Sequence, residues 1–365
     1  MPATPESASP LWSETNRPIC SVENPVLPEP LVNGTPDHRD EATEPSSPEV
    51  LALCGGIGGA KLALGLYRIL ADDALCVICN PGDDFEHLGL AIRPDFDTVL
   101  YTLAGRADPI KGWGLADETW SFMATMRMLG GEDWFALGDG DLAIHVERTR
   151  RLAAGHAPTR IAQAFTSRLG VKAALVPVSD EPVRTVVLSD RGELQFQHYF
   201  VRERCEPRVL GFRYAGAETA RMTPYVSKVL TRDDLRAIVV CPSNPFISID
   251  PILSVPGMRE ALRSSPVPVI AVSPVVAGKA VKGPTAKMLD ELGMRVDPET
   301  VAEHYADFVD GFILDHSDSM LAGDIARRCG LRTHVCNSIM TSLRDREQLA
   351  EQVLSFADRV REAQG

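Results

Sequence analysis

The 365 residues are 44% hydrophobic and 24% charged, the composition of a soluble globular chain of about two domains or one enlarged one. No apolar run approaches the roughly 20 residues of a membrane span, so no membrane-spanning segment is expected. The formal charge of −13 is concentrated in residues 1–50, with nine acids against two arginines, and the mildly acidic remainder lacks the basic stripe of a nucleic-acid binder.

Residues 1–49 hold ten prolines and few apolar side chains. Such a segment buries too little surface to offset its ordering entropy and is expected to be a disordered acidic tail. It lacks the basic start and apolar stretch of a signal peptide. Order is expected from Val50. Residues 50–54 read as a buried strand, the run Gly55-Gly56-Ile57-Gly58-Gly59 as a loop, and residues 60–70 as a helix with apolar positions at helical spacing. A second strand over 74–79 completes a βαβ unit, which implies a parallel sheet with ligands at its carboxyl edge. Amphipathic helices are predicted over 115–130 and 141–154, and two antiparallel strands within 183–202 around Asp190-Arg191. Strands return at 237–241, 267–272 and 311–314, with a helix starting at 258. The predicted class is α/β: a Rossmann-like, mainly parallel sheet with helices on both faces, formed by residues 50–365 and carrying an inserted helical subdomain at about 105–170.

Eight scattered cysteines do not make a secreted disulfide framework, and a reducing cytoplasm is the expected compartment. Cys76 and Cys79 have the CxxC spacing but fall within one strand, where their sulfurs point to opposite faces; no structural zinc is expected.

Five loops carry candidate chemistry. The glycine run either presents its backbone amides to a phosphate, with Lys61 in reach, or lets helix and strand pack closely. Its spacing is neither a dinucleotide fingerprint nor a Walker A loop. Asn80-Pro81-Gly82-Asp83-Asp84 ends the second strand, and Asp95 and Asp97 follow just before an apolar helix. Four carboxylates behind one glycine run favour a metal–phosphate site over plain turn and cap chemistry. Asp141, His145 and Arg148 share one helix face after Gly138-Asp139-Gly140, as a ligand for an anion or as a surface charge network. Ser243 and Asn244 lie at another strand end, and Lys279 and Lys282 in a later loop suit a phosphoanhydride. No nucleophile elbow or HExxH motif is present. The parts fit transfer of a phosphorylated group from a nucleotide-like donor.

In order, GGIGGAK, NPGDD, RPDFDTVLYTLAG, LGDGDLAIHVERT, CPSNPFISIDPIL and AVSPVVAGKAVKGP resemble the 2-phospho-L-lactate transferase family of coenzyme F420 biosynthesis over about residues 50–345. The resemblance implies a Mg²⁺-dependent transfer of phospholactate, phosphoenolpyruvate or 3-phosphoglycerate from a guanosine-diphosphate-linked donor to the deazaflavin Fo, releasing GMP and forming F420-0 or an analogue, by a homodimer. Carried onto this sequence, it implies that Gly55, Gly56, Gly58, Gly59, Lys61, Ser243, Asn244 and Lys282 face the donor, with His145 and Arg148 on its acid. Asp97 becomes the catalytic candidate, beside Asp95, Thr98 and Gly138 on the Fo side, with Asp84 and Asp139 holding Mg²⁺. Pro81 departs from the family's usual hydroxyl residue and removes a donor from that loop. The competing resemblance is the gluconeogenesis-factor group, whose members bind nucleotide sugars in a regulatory role; the missing GxGxxG disfavours an NAD oxidoreductase.

Overall fold

The computed structural model describes residues 48–280 and 283–364. The expected tail, apart from its last two residues, and Lys282 lie outside the described residues.

The first strand, β1 (Val50–Cys54), has no polar side chain, and β2 (Leu75–Cys79) is as apolar; both are buried along their whole length. Strands of this kind belong in the middle of a parallel sheet covered on both faces. Helix α1 (Gly56–Ile69) connects them. The chain then leaves the sheet for the hairpin β3 (Phe85–His87) and β4 (Leu90–Ile92), followed by α2 (Pro94–Leu103), α3 (Ser121–Met128), α4 (Asp139–Ala153) and α5 (Pro158–Arg168). It returns as β5 (Ala174–Pro177), then forms an antiparallel sheet of β6 (Arg184–Ser189), β7 (Gly192–Gln195) and β8 (Val209–Ala215), and α6 (Pro224–Leu230). The second half runs through β9 (Ala237–Val240), α7 (Asp250–Leu253), α8 (Met258–Arg263), β10 (Val269–Val272) and the small ladder β11 (Val275–Val276) with β12 (Lys279–Ala280). It continues through α9 (Thr285–Glu291), α10 (Pro298–Tyr305), β13 (Gly311–Asp315), α11 (Ala322–Cys329), β14 (Arg332–Cys336) and α12 (Leu343–Glu362).

The main sheet has seven parallel strands in the order β14-β13-β10-β9-β1-β2-β5. Alternate residues of β1 and β2 enter two separate cores. Leu51, Leu53, Cys76 and Ile78 pack under the side holding α6, α8, α10 and α11. Val50, Ala52, Cys54, Val77 and Cys79 pack under α1, α2, α5 and α12. Cys76 and Cys79 thus occupy opposite faces, as the strand reading required, and every described cysteine is free. The predicted Rossmann-like α/β class is the observed one. Among the described residues no helix is long and apolar enough to cross a membrane.

Three local expectations are revised. Helix α1 begins at Gly56 rather than residue 60, so most of the glycine run is the helix's first turn. The helix expected over 115–130 shortens to α3, because Asp117 takes a left-handed φ of 56° and Leu115 pairs with Ala107 instead. Strand β8 pairs with β6 and was not anticipated. Between β2 and β5, the hairpin and α3 build a small core of their own from Phe85, Ile92, Met123 and Leu137, with Trp120, Trp134 and Phe135 packed against it.

Candidate active site

The sheet reverses its winding at β1: β2 lies on one side and β9 on the other. Loops leaving two neighbouring strands in opposite senses open a crevice at their carboxyl ends, the usual ligand site of such sheets. Here the two loops are tied together. Ser243 Oγ, after β9, donates to Gly55 O at 2.8 Å and accepts from Gly55 N at 3.2 Å. The glycines make this fit possible. A Cβ on Gly58 would stand 2.6 Å from Pro242 O, and one on Gly59 would strike Ser243 Oγ and lie 2.8 Å from Cys54 Sγ. Gly56 differs: its φ is +64° and a Cβ there would meet nothing within 4 Å. Packing therefore explains Gly58 and Gly59, and backbone conformation explains Gly56. Asn244 caps the helical turn at Pro245–Ile249, its Oδ1 accepting from Phe246 N and Ile247 N at 2.9 and 3.3 Å.

The end of β2 organises the carboxylates around Asn80, which is 1% exposed. Its Nδ2 faces Asp83 Oδ1, Asp95 Oδ2 and Ile247 O at 2.8–2.9 Å, while its Oδ1 accepts from Gly82 N at 2.8 Å. Asp83 also accepts from Gln197 Nε2 at 3.2 Å. Burial lifts the Asp95 carboxyl to about 6 against the pull of the Asn80 amide and the Gly56 N–H. Burial, with the charge of Asp95, pushes Asp83 well above the usual carboxylate range. Burial likewise raises Asp84 to about 7 against Arg93, whose Nε lies 3.2 Å from its Oδ2; the other oxygen, Oδ1, is buried without a hydrogen-bond partner.

Asp97 faces away from this group. Arg148, on α4, grips both its carboxylate oxygens, through Nη1 at 3.0 Å and through Nη2. The two side chains are buried, and the guanidinium also donates to Ala91 O at 3.3 Å. His145 Nδ1 stands 3.1 Å from Arg148 Nη1, and its Nε2, 3.5 Å from Asp141 Oδ1, has no hydrogen-bond partner. Tyr101 donates to Asp141. Asp97, Asp141 and His145 lie close enough to hold a metal ion, but Arg148 already supplies the cation there. Burial raises the Asp97 carboxyl despite that guanidinium.

Asp139 does not join either carboxylate group. It accepts from Thr119 Oγ1 at 2.5 Å and from Ser121 N and Phe122 N at 3.0 Å, so its oxygens tether α3 to the start of α4. The oxygens that the resemblance set on Mg²⁺ with Asp84 are here hydrogen-bonded to α3 and Thr119. Glu118 accepts from Gly140 N and Asp141 N at 2.8 and 2.7 Å, and the absent side chain of Gly138 leaves room for it. Gly138 is thus required by a helix cap.

A cavity of about 540 Å³ fills the crevice. Its lining includes the glycine segment with Ser243, which it binds, the Asn80-linked pair Asp83 and Asp95, and Asn244, Thr98, Ser273 and Ser338. Five aromatic side chains, Trp113, Trp134, Phe135, Phe196 and Phe200, line it as well. Lys61 lines it too, with Nζ donating to Met340 O at 2.7 Å. The sequence reading had Asn80 and Asp83 within its second candidate loop, without Asn80's bridging part; it missed Gln197 and the aromatic lining. The adjacent Trp134-Phe135 and the Gly-Trp-Gly around Trp113 were visible signals, but nothing in a linear pattern tells such residues from core.

A parallel α/β sheet whose switch-point crevice joins backbone amides, hydroxyls and paired carboxylates is the architecture of a ligand-binding α/β protein with its site at the carboxyl edge. Residues 50–333 match the family described as 2-phospho-L-lactate transferase CofD, and the chain belongs to that transferase family. It is 37% identical over 319 residues to a phosphoenolpyruvate transferase of Kitasatospora aureofaciens, covering 86% of this chain and 98% of the relative. It is 36% identical over 312 residues to a 2-phospho-L-lactate transferase of Methanosarcina acetivorans, covering 85% and 100%. A solved upf0052-family protein of Bacillus halodurans superposes with a TM-score of 0.55 at 13% identity, over 84% of this chain and 99% of that one, and shares the fold.

Proposed function

We propose that the protein transfers a phospho-acid from its guanosine-diphosphate-activated form to the primary hydroxyl of the deazaflavin Fo, in coenzyme F420 biosynthesis. The hydroxyl oxygen bonds to the β-phosphorus, which is esterified by lactate, enolpyruvate or glycerate, and the hydroxyl gives up its proton to the carboxylate that orients it. The bond from that phosphorus to the α-phosphate oxygen breaks, and GMP leaves with the oxygen. The observation that carries this reading is the shared cavity. Its lining combines amides and hydroxyls suited to a diphosphate, two carboxylates, and five aromatic side chains suited to a flat tricyclic ring.

Transfer of this kind asks mainly for positioning and charge compensation. Asp95 and Thr98, at the start of α2, line the cavity and take the hydroxyl-orienting part that the resemblance implied for Asp97. Asp97 and Arg148 instead fix α2 against α4. Mg²⁺ would be held by Asp83 and Asp95, two buried carboxylates brought together on the Asn80 amide at the cavity. A bound Mg²⁺ would offset the charge of the donor's diphosphate.

The test is conversion of Fo by the purified protein with Mg²⁺ and each of the three donors generated in place, read by mass spectrometry. A product carrying one of the three acids supports the reading and names the acid by relative rate. Folded protein that yields no product with any donor would favour nucleotide-sugar binding without transfer.

A further inference from the structure

Among the described residues lining the cavity, four are charged: Asp83, Asp95, Lys61 and Lys111. The two carboxylates repel the donor unless a cation is present, so the lysines decide how the cavity receives an anion. Lys61 spends a hydrogen bond on Met340 O. Lys111 is held differently. Its Nζ lies 4.6 and 5.5 Å from the ring centres of Trp120 and Trp113, and 3.4 Å from Asp108 Oδ2. Asp108 Oδ1 is already occupied by the N–H groups of Ile110 and Lys111 at 2.8 and 3.0 Å. Exposed ion pairs and cation–π contacts of this kind are weak and exchangeable.

The segment that carries Lys111 is a short exposed strap. Ala107 and Leu115 pair at its base, and Asp108 N donates to Gly114 O at 3.1 Å. Between them no residue is buried, and Ile110 is 91% exposed. Gly112 and Gly114 have φ of +78° and +70°, conformations that let the tip reorient without a Cβ penalty. The tip rests on the glycine segment itself: a Cβ on Gly112 would stand 3.3 Å from Ile57 Cγ2. Lys111 and the first turn of α1 thus line the same cavity.

We propose that Lys111 is a donor-binding residue delivered by this strap, leaving Asp108 and the two indoles to hold the anionic oxygens of a nucleoside-diphosphate donor. The inference rests on the transferase reading for the identity of that donor.

The full chain, Lys111→Ala and Lys111→Arg are compared by thermal melting, Fo affinity from deazaflavin fluorescence, GDP affinity by calorimetry and donor KM. Removing one charge-assisted hydrogen bond is expected to raise the donor KM, and the GDP Kd if the lysine meets the diphosphate, by about tenfold. The Fo Kd should stay within about twofold of wild type, because only an anion contact is lost, and Lys111→Arg should restore most of the donor affinity. A raised donor KM with unchanged GDP binding also supports the proposal and puts the ammonium at the acid end. Unchanged donor KM and GDP Kd, or an equal loss of Fo affinity, overturns it. If the wild-type chain transfers nothing, the transferase reading falls separately, and the GDP titration alone decides: a Kd unmoved by Lys111→Ala removes Lys111 from anion binding.

Discussion

Replacing Arg148 with Met keeps a long apolar stem and removes the guanidinium that grips Asp97. Both side chains are at most 5% exposed, so the carboxylate cannot turn to water for compensation. Breaking a buried pair from one side typically costs about 3–5 kcal/mol. The hydrogen bond to Ala91 O and the contact of the guanidinium with the Phe165 ring, 5.7 Å away, are lost as well. Against a total of roughly 5–15 kcal/mol, this is a large fraction of the stability. The loss has a sign in pH. Burial already raises Asp97, and without Arg148 its folded-state affinity for a proton rises further. A carboxyl with a raised folded pKa adds stability below its unfolded pKa, and that stability is lost as pH rises through the folded value. The penalty of Arg148→Met should thus be greatest near pH 8 and shrink toward pH 5. Urea denaturation followed by far-ultraviolet circular dichroism at both pH values measures it. Asp97→Asn combined with Arg148→Met removes the stranded charge and should recover at least half of the loss. A shift under about 1 kcal/mol at pH 8, or a double variant no better than the single one, would refute the structural role of this pair.

The paired carboxylates of the cavity give a second pH dependence. Asp95 titrates near 6 and Asp83 well above its usual range, so protons compete with Mg²⁺ for both. Calorimetry should show Mg²⁺ affinity rising as pH increases from about 5 to about 8, and Asp83→Asn should abolish the heat; a flat or falling profile contradicts the site. Gly59→Ala drives a methyl into Ser243 Oγ and Cys54 Sγ, and overpacking of this kind should cost about 1–3 kcal/mol in a melt. The donor KM should rise with it, because the same Ser243 clamps the glycine segment; an unchanged melt would mean the two loops part easily.

The βαβ start, the strand-end loops and the opposite-facing CxxC pair were legible because strands buried on both faces write long apolar runs, and because turns write glycine and proline. The limits are equally physical. The glycine run looked like a phosphate loop, yet Gly58 and Gly59 are required by Pro242 and Ser243, residues far along the chain whose approach no local pattern records. Asp97 and Asp95 are two residues apart at the start of one helix, and periodicity cannot say which faces a cavity. Only α4, packed alongside, decides it: Arg148 and His145 claim Asp97 and leave Asp95 to Asn80. The i, i+4, i+7 face read as a ligand for an anion is thus turned inward onto a neighbouring carboxylate. The same α4 begins at Asp139, whose oxygens hold α3, and Glu118 covers the two N–H groups that follow. One insertion helix therefore claims Asp97, leaves Asp95 to line the cavity, and anchors α3. Because Asp97 and Asp95 share the first turn of α2, stability and turnover should fall in parallel when Arg148 is lost.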